Sequence, residues 1–186
     1  ASPNYTYLLD LLYLDDLKHV QIHSLQKLSD SRVDFSEWFC APDSLLATTA
    51  ASFGMSIERL NLEEGFDFYK RSTIDKVSKH VQESRPRRVW VSIPCTLISS
   101  MQNRTVRFGQ DLKNFQKAKS RLKTLVCEVS KLLVEVVSYG GEIYFEWPRW
   151  ASGWPWLDWL FEEIWQKFGI RMRKIQLDGC QVDVVD

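Results

Sequence analysis

Four cysteines are all the chain holds, Cys40, Cys95, Cys127 and Cys180, and no two of them form a Cys-x-x-Cys pair. Neither a zinc site nor a disulfide framework is indicated by such scatter. Two of them lie inside apolar segments, which fits a reducing compartment, so an intracellular place, cytoplasmic or nuclear, is expected. Net charge is also missing: Lys+Arg and Asp+Glu both number 24. That balance speaks against a protein whose main affinity comes from neutralising phosphates, while leaving room for a local basic patch. No apolar run approaches the length of a membrane span and no secretory signal is present, so no membrane partner is expected. Histidine is scarce. His19 and His23 stand four apart with no third ligand, read as surface residues, and no metal is expected. The eight glycines include no Gly-x-Gly loop of the kind that cradles a nucleotide. There is no internal repeat and no low-complexity linker.

What is present is enough for a core. The 186 residues are 45% apolar and include eight Trp, which suits one compact domain. The opening Ala1-Ser2-Pro3, without an initiator Met, reads as the start of a fragment cut from a longer protein.

The periodicity alternates between strand and helix. Residues Tyr5 to Ser29 carry leucines at helical spacing and are expected to form one or two amphipathic helices, a helical extension over residues 1–31 ahead of an α/β core over 32–186. Val33 to Cys40 alternates as a strand. Ala41-Pro42-Asp43-Ser44 turns it, Asp43 or Ser44 caps a helix from Leu45 to Phe53, and Gly54 stops that helix. A strand, a tight loop and a helix start present free backbone N–H groups to a ligand. Met55 to Leu62 gives a second strand, followed by acidic Glu63, Glu64 and Asp67. Ser72 to Glu83 is a helix, and Arg85-Pro86 breaks it before the central strand Arg88 to Ile93. After Cys95 a polar, mobile loop is expected through Gly109. Asp111 to Ser138 is the longest helix, with an apolar stripe from Leu112 to Val137. Glu142 to Phe145 is the next strand. Trp150 to Trp156 is an aromatic loop into a last helix whose buried side is expected to hold Trp159, Leu160, Ile164, Trp165 and Phe168. Arg171 to Leu177 and Gln181 to Val185 read as closing strands. This order fits a doubly wound, mostly parallel α/β sheet with helices on both faces.

Two strand ends carry the chemistry. Ile93-Pro94-Cys95-Thr96 closes the central strand, and Phe145-Glu146-Trp147-Pro148-Arg149 closes the next. Ligands of open α/β sheets bind just beyond the carboxyl ends of the strands, so a thiol and a carboxylate delivered there form a candidate reactive pair. Cys95 as a small buried hydrophobe is the plainer alternative. On the long helix, Lys113, Lys117 and Arg121, with Arg104 and Arg107 from the preceding loop, make either a solvated face or a phosphate-tracking one.

The Pro94-Cys95 and Phe145-Glu146 motifs resemble the catalytic core of the C5-cytosine DNA methyltransferases, which have Pro-Pro-Cys-Gln, a Ser a few residues on, and later Glu-Asn-Val. The chain is also similar to methyltransferase-like segments of retrotransposon-type or viral polyproteins. Those read roughly Glu-x-Phe-Cys-(Ser/Ala)-Pro, Arg-Pro-x-x-x-Trp-x-Ser-x-Pro-Cys and Phe-Glu-x-Pro-Arg, which here stand at Glu37 to Pro42, Arg85 to Cys95 and Phe145 to Arg149. The resemblance implies a Rossmann-like methyltransferase fold, S-adenosylmethionine as cofactor, and a nucleic-acid substrate methylated at cytosine C5. Cys95, Glu146 and Arg149 would be its catalytic residues, with Ser99 or Ser100 in the place of the family's Ser. Phe35, Glu37, Pro42, Asp43, Ser44 and Pro94 would line the cofactor, with Glu63 or Asp67 near its ribose or adenine. Other segments of a parent polyprotein would be partners. Ile93, Thr96 and Trp147 replace the family's first Pro, Gln and Asn. The alternative is the same fold without activity, holding nucleic acid or protein through the Arg104–Lys123 face and the Trp150–Trp156 loop.

Overall fold

A strand buried on both faces needs cover above and below, and Phe35–Trp38 is such a strand, while Arg88–Val91 and Glu142–Pro148 alternate between buried and partly open residues and lean on helices chiefly on one side. The computed structural model describes residues 5–11, 32–99 and 112–178. Its elements are β1 (Tyr5–Leu11), β2 (Phe35–Trp38), α1 (Leu45–Ser52), β3 (Ile57–Leu60), α2 (Arg71–Ser84), β4 (Arg88–Val91), α3 (Leu112–Ser138), β5 (Glu142–Pro148), a 3-10 turn (Trp154–Leu157), α4 (Asp158–Phe168) and β6 (Met172–Asp178). The protein is α/β. Six strands form one sheet in the order β3-β2-β4-β5-β1-β6. The four strands from β3 to β5 are parallel, and β1 is antiparallel to both β5 and β6.

The chain steps from β2 outward to β3, then returns past β2 to β4, so strand order reverses between β2 and β4. Right-handed crossovers in opposite directions place their helices on opposite faces. α1 accordingly packs on β2 and β3, while α2, α3 and α4 pack together on the other side. Arg71 bonds Glu128 and Ser78 bonds Glu135 across the α2–α3 seam. The core lies under these three helices. Val89, Val91, Ile143, Phe145 and Trp147 from the sheet meet Leu125, Val129, Leu133, Val136 and Ile164 from the helices in one buried cluster. Alternation along β5 is strict: Ile143, Phe145 and Trp147 are buried, while Glu142, Tyr144 and Glu146 are partly open.

Local signals explain the boundaries. Ser44 caps α1, its hydroxyl accepting from the Ala47 N–H. Gly140 takes a left-handed φ of 83° just past α3, and Gly169 does so at the end of α4, as glycine does at helix ends. Gly141 cannot carry a side chain, because a Cβ there would lie 2.6 Å from Val136 Cγ1.

Three expectations are corrected. Tyr5–Leu11 is a strand, not the start of a helix. Tyr5, Thr6 and Tyr7 are strand-favouring types, and the β5 edge offers them a ladder; residues 12–31, including His19 and His23, lie outside the described residues. The polar loop after Cys95 begins as a tight turn packed into the core: Ile98 is buried, and its carbonyl accepts from the Ser152 N–H. The rest of that loop, and the last expected strand, Gln181 to Val185, lie outside the described residues. Finally, Trp159 and Trp165 face outward, as does Leu112. α3 runs about 40 Å at 1.5 Å per residue, against about 13 Å for a four-residue strand. Its first turns therefore outrun the sheet, and continuous burial starts only at Leu122.

Candidate functional site

The carboxyl ends of β2, β4 and β5 meet at the point where strand order reverses. β4 ends at Val91, and Ser92-Ile93-Pro94 carries the chain to Cys95. The Cys95 carbonyl accepts from both the Ile98 and the Ser99 N–H, which folds the next three residues into a turn. β5 brings Glu146 alongside. Ser92, Ile93, Pro94, Cys95, Glu146, Trp147 and Pro148 line one cavity of about 200 Å³. The structure thus brings Cys95 and Glu146 together, while Arg149 is not among the lining residues and lies over the exposed Trp150 ring at 4.6 Å.

Glu146 is fixed by a relay across the sheet face. Trp90 Nε1 donates to Ser92 Oγ (2.9 Å) and more weakly to Glu146 Oε2 (3.3 Å), and the Ser92 hydroxyl donates to the same carboxylate oxygen (3.4 Å). Trp90 in turn stacks on Tyr144, centroids 5.9 Å apart. Burial pushes the Cys95 thiol above its ordinary 9.0, and the Glu146 charge adds to the rise. The resting thiol is protonated at neutral pH, so it becomes a nucleophile only if its proton is withdrawn as a ligand enters.

Trp147, one residue past Glu146, is buried and donates from Nε1 to the Ile93 carbonyl at 2.8 Å. That bond ties the end of β5 to the loop that carries Cys95. Gly153 leaves room for it: a Cβ there would stand 2.8 Å from both Trp147 Cζ3 and Ile98 Cδ1.

A second cavity of about 190 Å³ adjoins the first through Pro94. It is lined by Phe39, Cys40, Asn61, Leu62, Phe66, Asp67, Phe68 and Tyr69 as well. Phe39 has φ 64°, a left-handed conformation rare for a bulky residue. The sharp bend seats its ring on Phe68, centroids 4.2 Å apart. Asn61 Nδ2 reaches Cys40 Sγ at 3.8 Å, and the Cys40 thiol, which burial also pushes up, donates to the Glu37 carbonyl.

Glu37, at the carboxyl end of β2, is only 5% exposed. Its Oε1 accepts from the Ser44 hydroxyl at 2.7 Å, and its Oε2 is buried without a hydrogen-bond partner among the described residues. Burial holds its carboxyl above the usual range, with Glu146 contributing a smaller push in the same direction.

Of the residues expected to line a cofactor, Asp67 and Pro94 line the second cavity. Glu37 and Ser44 form a pair beside the strand reversal. Pro42 and Asp43 are exposed on the loop, where the Pro42 carbonyl accepts from Arg59. Glu63 is exposed and lines neither cavity, which leaves Asp67 as the acidic residue in place. Phe35 begins β2 and is buried at the end of the strand away from this edge. Lys113, Lys117 and Arg121 are exposed at four-residue intervals on α3; Arg104 and Arg107 lie outside the described residues. Phe39 falls within the Phe35 to Ser44 stretch expected to line the cofactor; Asn61 and Phe68 were not foreseen, and for Phe68 the aromatic run Phe66-Asp67-Phe68-Tyr69 was the signal available.

No family model, curated protein or solved structure gives a significant match to this chain.

Proposed function

We propose that this is a Rossmann-like methyltransferase domain that uses S-adenosylmethionine to methylate nucleic acid at cytosine C5, and that it derives from a mobile-element or viral polyprotein. The observation that carries this reading is the single cavity that Cys95 and Glu146 share at the carboxyl edge, beside the reversal of strand order. In this reading the Cys95 thiol would give up its proton and Sγ would add to C6 of a cytosine taken out of its stack, opening the C5–C6 double bond; C5 would take the methyl group, and loss of the C5 proton with release of Sγ would restore the ring, while Glu146 holds the N3 edge. The Ser92–Trp90 relay keeps that carboxylate aimed. Trp147 stands where the related enzymes have an Asn, and its N–H steadies the Cys95 loop.

The residues present fit the cofactor. The second cavity offers apolar walls from Phe39, Phe68 and Pro94 and a carboxylate from Asp67, suited to an adenosine. Glu37 Oε2, buried and without a partner among the described residues, suits an ammonium or hydroxyl donor. The bound cofactor supplies an electrophilic methyl group.

The test is transfer of labelled methyl from S-adenosylmethionine to cytosine-containing oligonucleotides. Label should enter the nucleic acid with the wild-type protein and not with Cys95→Ser, which should still bind the oligonucleotide. Equal incorporation by both, or none by either in the presence of bound cofactor, contradicts the proposal.

The exposed Lys113, Lys117 and Arg121 at four-residue intervals on α3 support a second reading, in which the same fold holds nucleic acid without catalysis. Under it Cys95→Ser is silent, and charge reversal at Lys117 and Arg121 abolishes binding.

A further inference from the structure

A third cavity, of about 290 Å³, opens between α2 and α3 and shares Phe68 and Tyr69 with the second. Its floor is apolar and buried: Phe68, Ile74 and Leu125. Its rim is Tyr69, Lys70, Arg71, Arg121 and Glu128. The charges there are unequally matched. Arg71 is held by Asp75 at 3.0 Å and Glu128 at 2.8 Å, and Lys70 by Asp67 at 3.4 Å. Arg121 meets no carboxylate among the described residues; its guanidinium lies over the Tyr69 ring at 5.3 Å. Tyr69 is 49% exposed. One turn earlier on α3, Lys117 is exposed too, and at 1.5 Å per residue it stands about 6 Å along the axis from Arg121.

We propose that this recess is a subsite for one unpaired nucleotide of a single-stranded nucleic acid, its base stacked on the Tyr69–Arg121 pair and its phosphates met by Arg121 and Lys117. The chemistry fits on three counts. Aromatic rings and guanidinium planes are the surfaces on which unpaired bases stack. A recess just under the roughly 300 Å³ at which small-molecule sites begin admits one base and not the edge of a duplex. A chain with no net charge needs such stacking, because phosphate neutralisation alone gives it little affinity. The three cavities run in series, from Cys95 through Pro94 to Tyr69, so a strand held here leads toward the reactive pair. The inference rests on nucleic acid being the partner and deepens that reading by naming single strands; it does not depend on methyl transfer.

The experiment is fluorescence anisotropy with labelled oligo-dT, an abasic strand of the same length and a duplex, each against wild type, Tyr69→Ala, Tyr69→Phe and Arg121→Gln, with thermal melts to confirm folding. Tyr69→Ala should weaken oligo-dT about tenfold, within the range measured for one stacked base. Tyr69→Phe should bind within about twofold of wild type. Arg121→Gln should lower the slope of affinity against salt by about one ion. The abasic strand should be indifferent to Tyr69. The proposal is overturned if Tyr69→Ala binds oligo-dT like wild type, if it weakens the abasic strand equally, or if the duplex binds as tightly as the single strand. Cofactor binding is measured separately. Tyr69-dependent strand binding without cofactor binding retires the methyltransferase reading and keeps this one; the converse retires this one alone.

Discussion

The Trp147 indole donates to the Ile93 carbonyl across 2.8 Å and thereby joins the ends of β5 and β4. Both residues are buried. The bond does two things at once. It satisfies a backbone acceptor out of reach of water, and it sets the distance between Glu146, one residue before Trp147, and Cys95, two residues after Ile93.

Trp147→Phe keeps an aromatic ring but removes the donor and part of the buried indole, so a cavity cost adds to the lost bond. Leaving a buried carbonyl unpaired costs about 1–3 kcal/mol. For a domain of this size each kcal/mol lowers the melting temperature by about 2–4 °C. Thermal melts should show that drop, and alkylation of Cys95 should quicken as its loop loosens. An unchanged melt would mean that the bond contributes nothing.

Gly153→Ala should act on the same pair from the other side. Its Cβ would press on Trp147 and Ile98 at 2.8 Å, and overpacking of this kind costs about 1–3 kcal/mol. Urea unfolding measures it; the midpoint should fall while the slope stays constant.

Much of this architecture was legible from local signals. The helices from Leu45, Ser72 and Asp111 begin and end within about a residue of expectation because Ser44, Arg85-Pro86 and Gly140-Gly141 mark their limits. The meeting of Cys95 and Glu146 was legible because each closes an apolar run, and the ends of neighbouring parallel strands share one edge. β1 was not. Its leucines at positions 8, 9 and 11 serve either period, and what decides between them is pairing with residues 145–148, far along the chain. The second cavity depends on the left-handed backbone of Phe39 and on Phe68 folding back beneath it. Composition reports neither.

The reactivity of Cys95 should follow its environment. Burial, with a smaller contribution from Glu146, holds the thiol above its usual value, so the thiolate fraction is small at neutral pH and alkylation by iodoacetamide should rise about tenfold per pH unit through pH 8 and 9. Glu146→Gln removes the repelling charge and should speed alkylation at pH 8. Mass spectrometry of the Cys95 peptide separates it from Cys40, Cys127 and Cys180. A rate already flat above pH 7 would contradict the burial argument.

Glu37 offers a test with the opposite outcome for stability and function. Its folded-state pKa is raised, chiefly by burial. Such a group favours folding fully below its unfolded value, near 4.3, and that contribution is lost as pH rises through the folded value. Ionised Glu37 therefore weighs against folding at neutral pH. Glu37→Gln should be more stable than wild type at pH 7, by about 1 kcal/mol if the amide finds a partner. The difference should shrink as pH falls from the raised folded-state value toward the unfolded one, and stay constant below that. The same variant should bind S-adenosylmethionine more weakly, since it loses the buried charge proposed to meet the cofactor.

The most direct test of the central claim is calorimetry of the wild-type protein with S-adenosylmethionine and with its demethylated product, paired with thermal melts. The account predicts saturable binding of both, and at a hundred times the dissociation constant a stabilisation of about 2.7 kcal/mol, a rise of several degrees. No heat and no shift at millimolar ligand would contradict it, leaving Cys95 and Glu146 without a methyl donor.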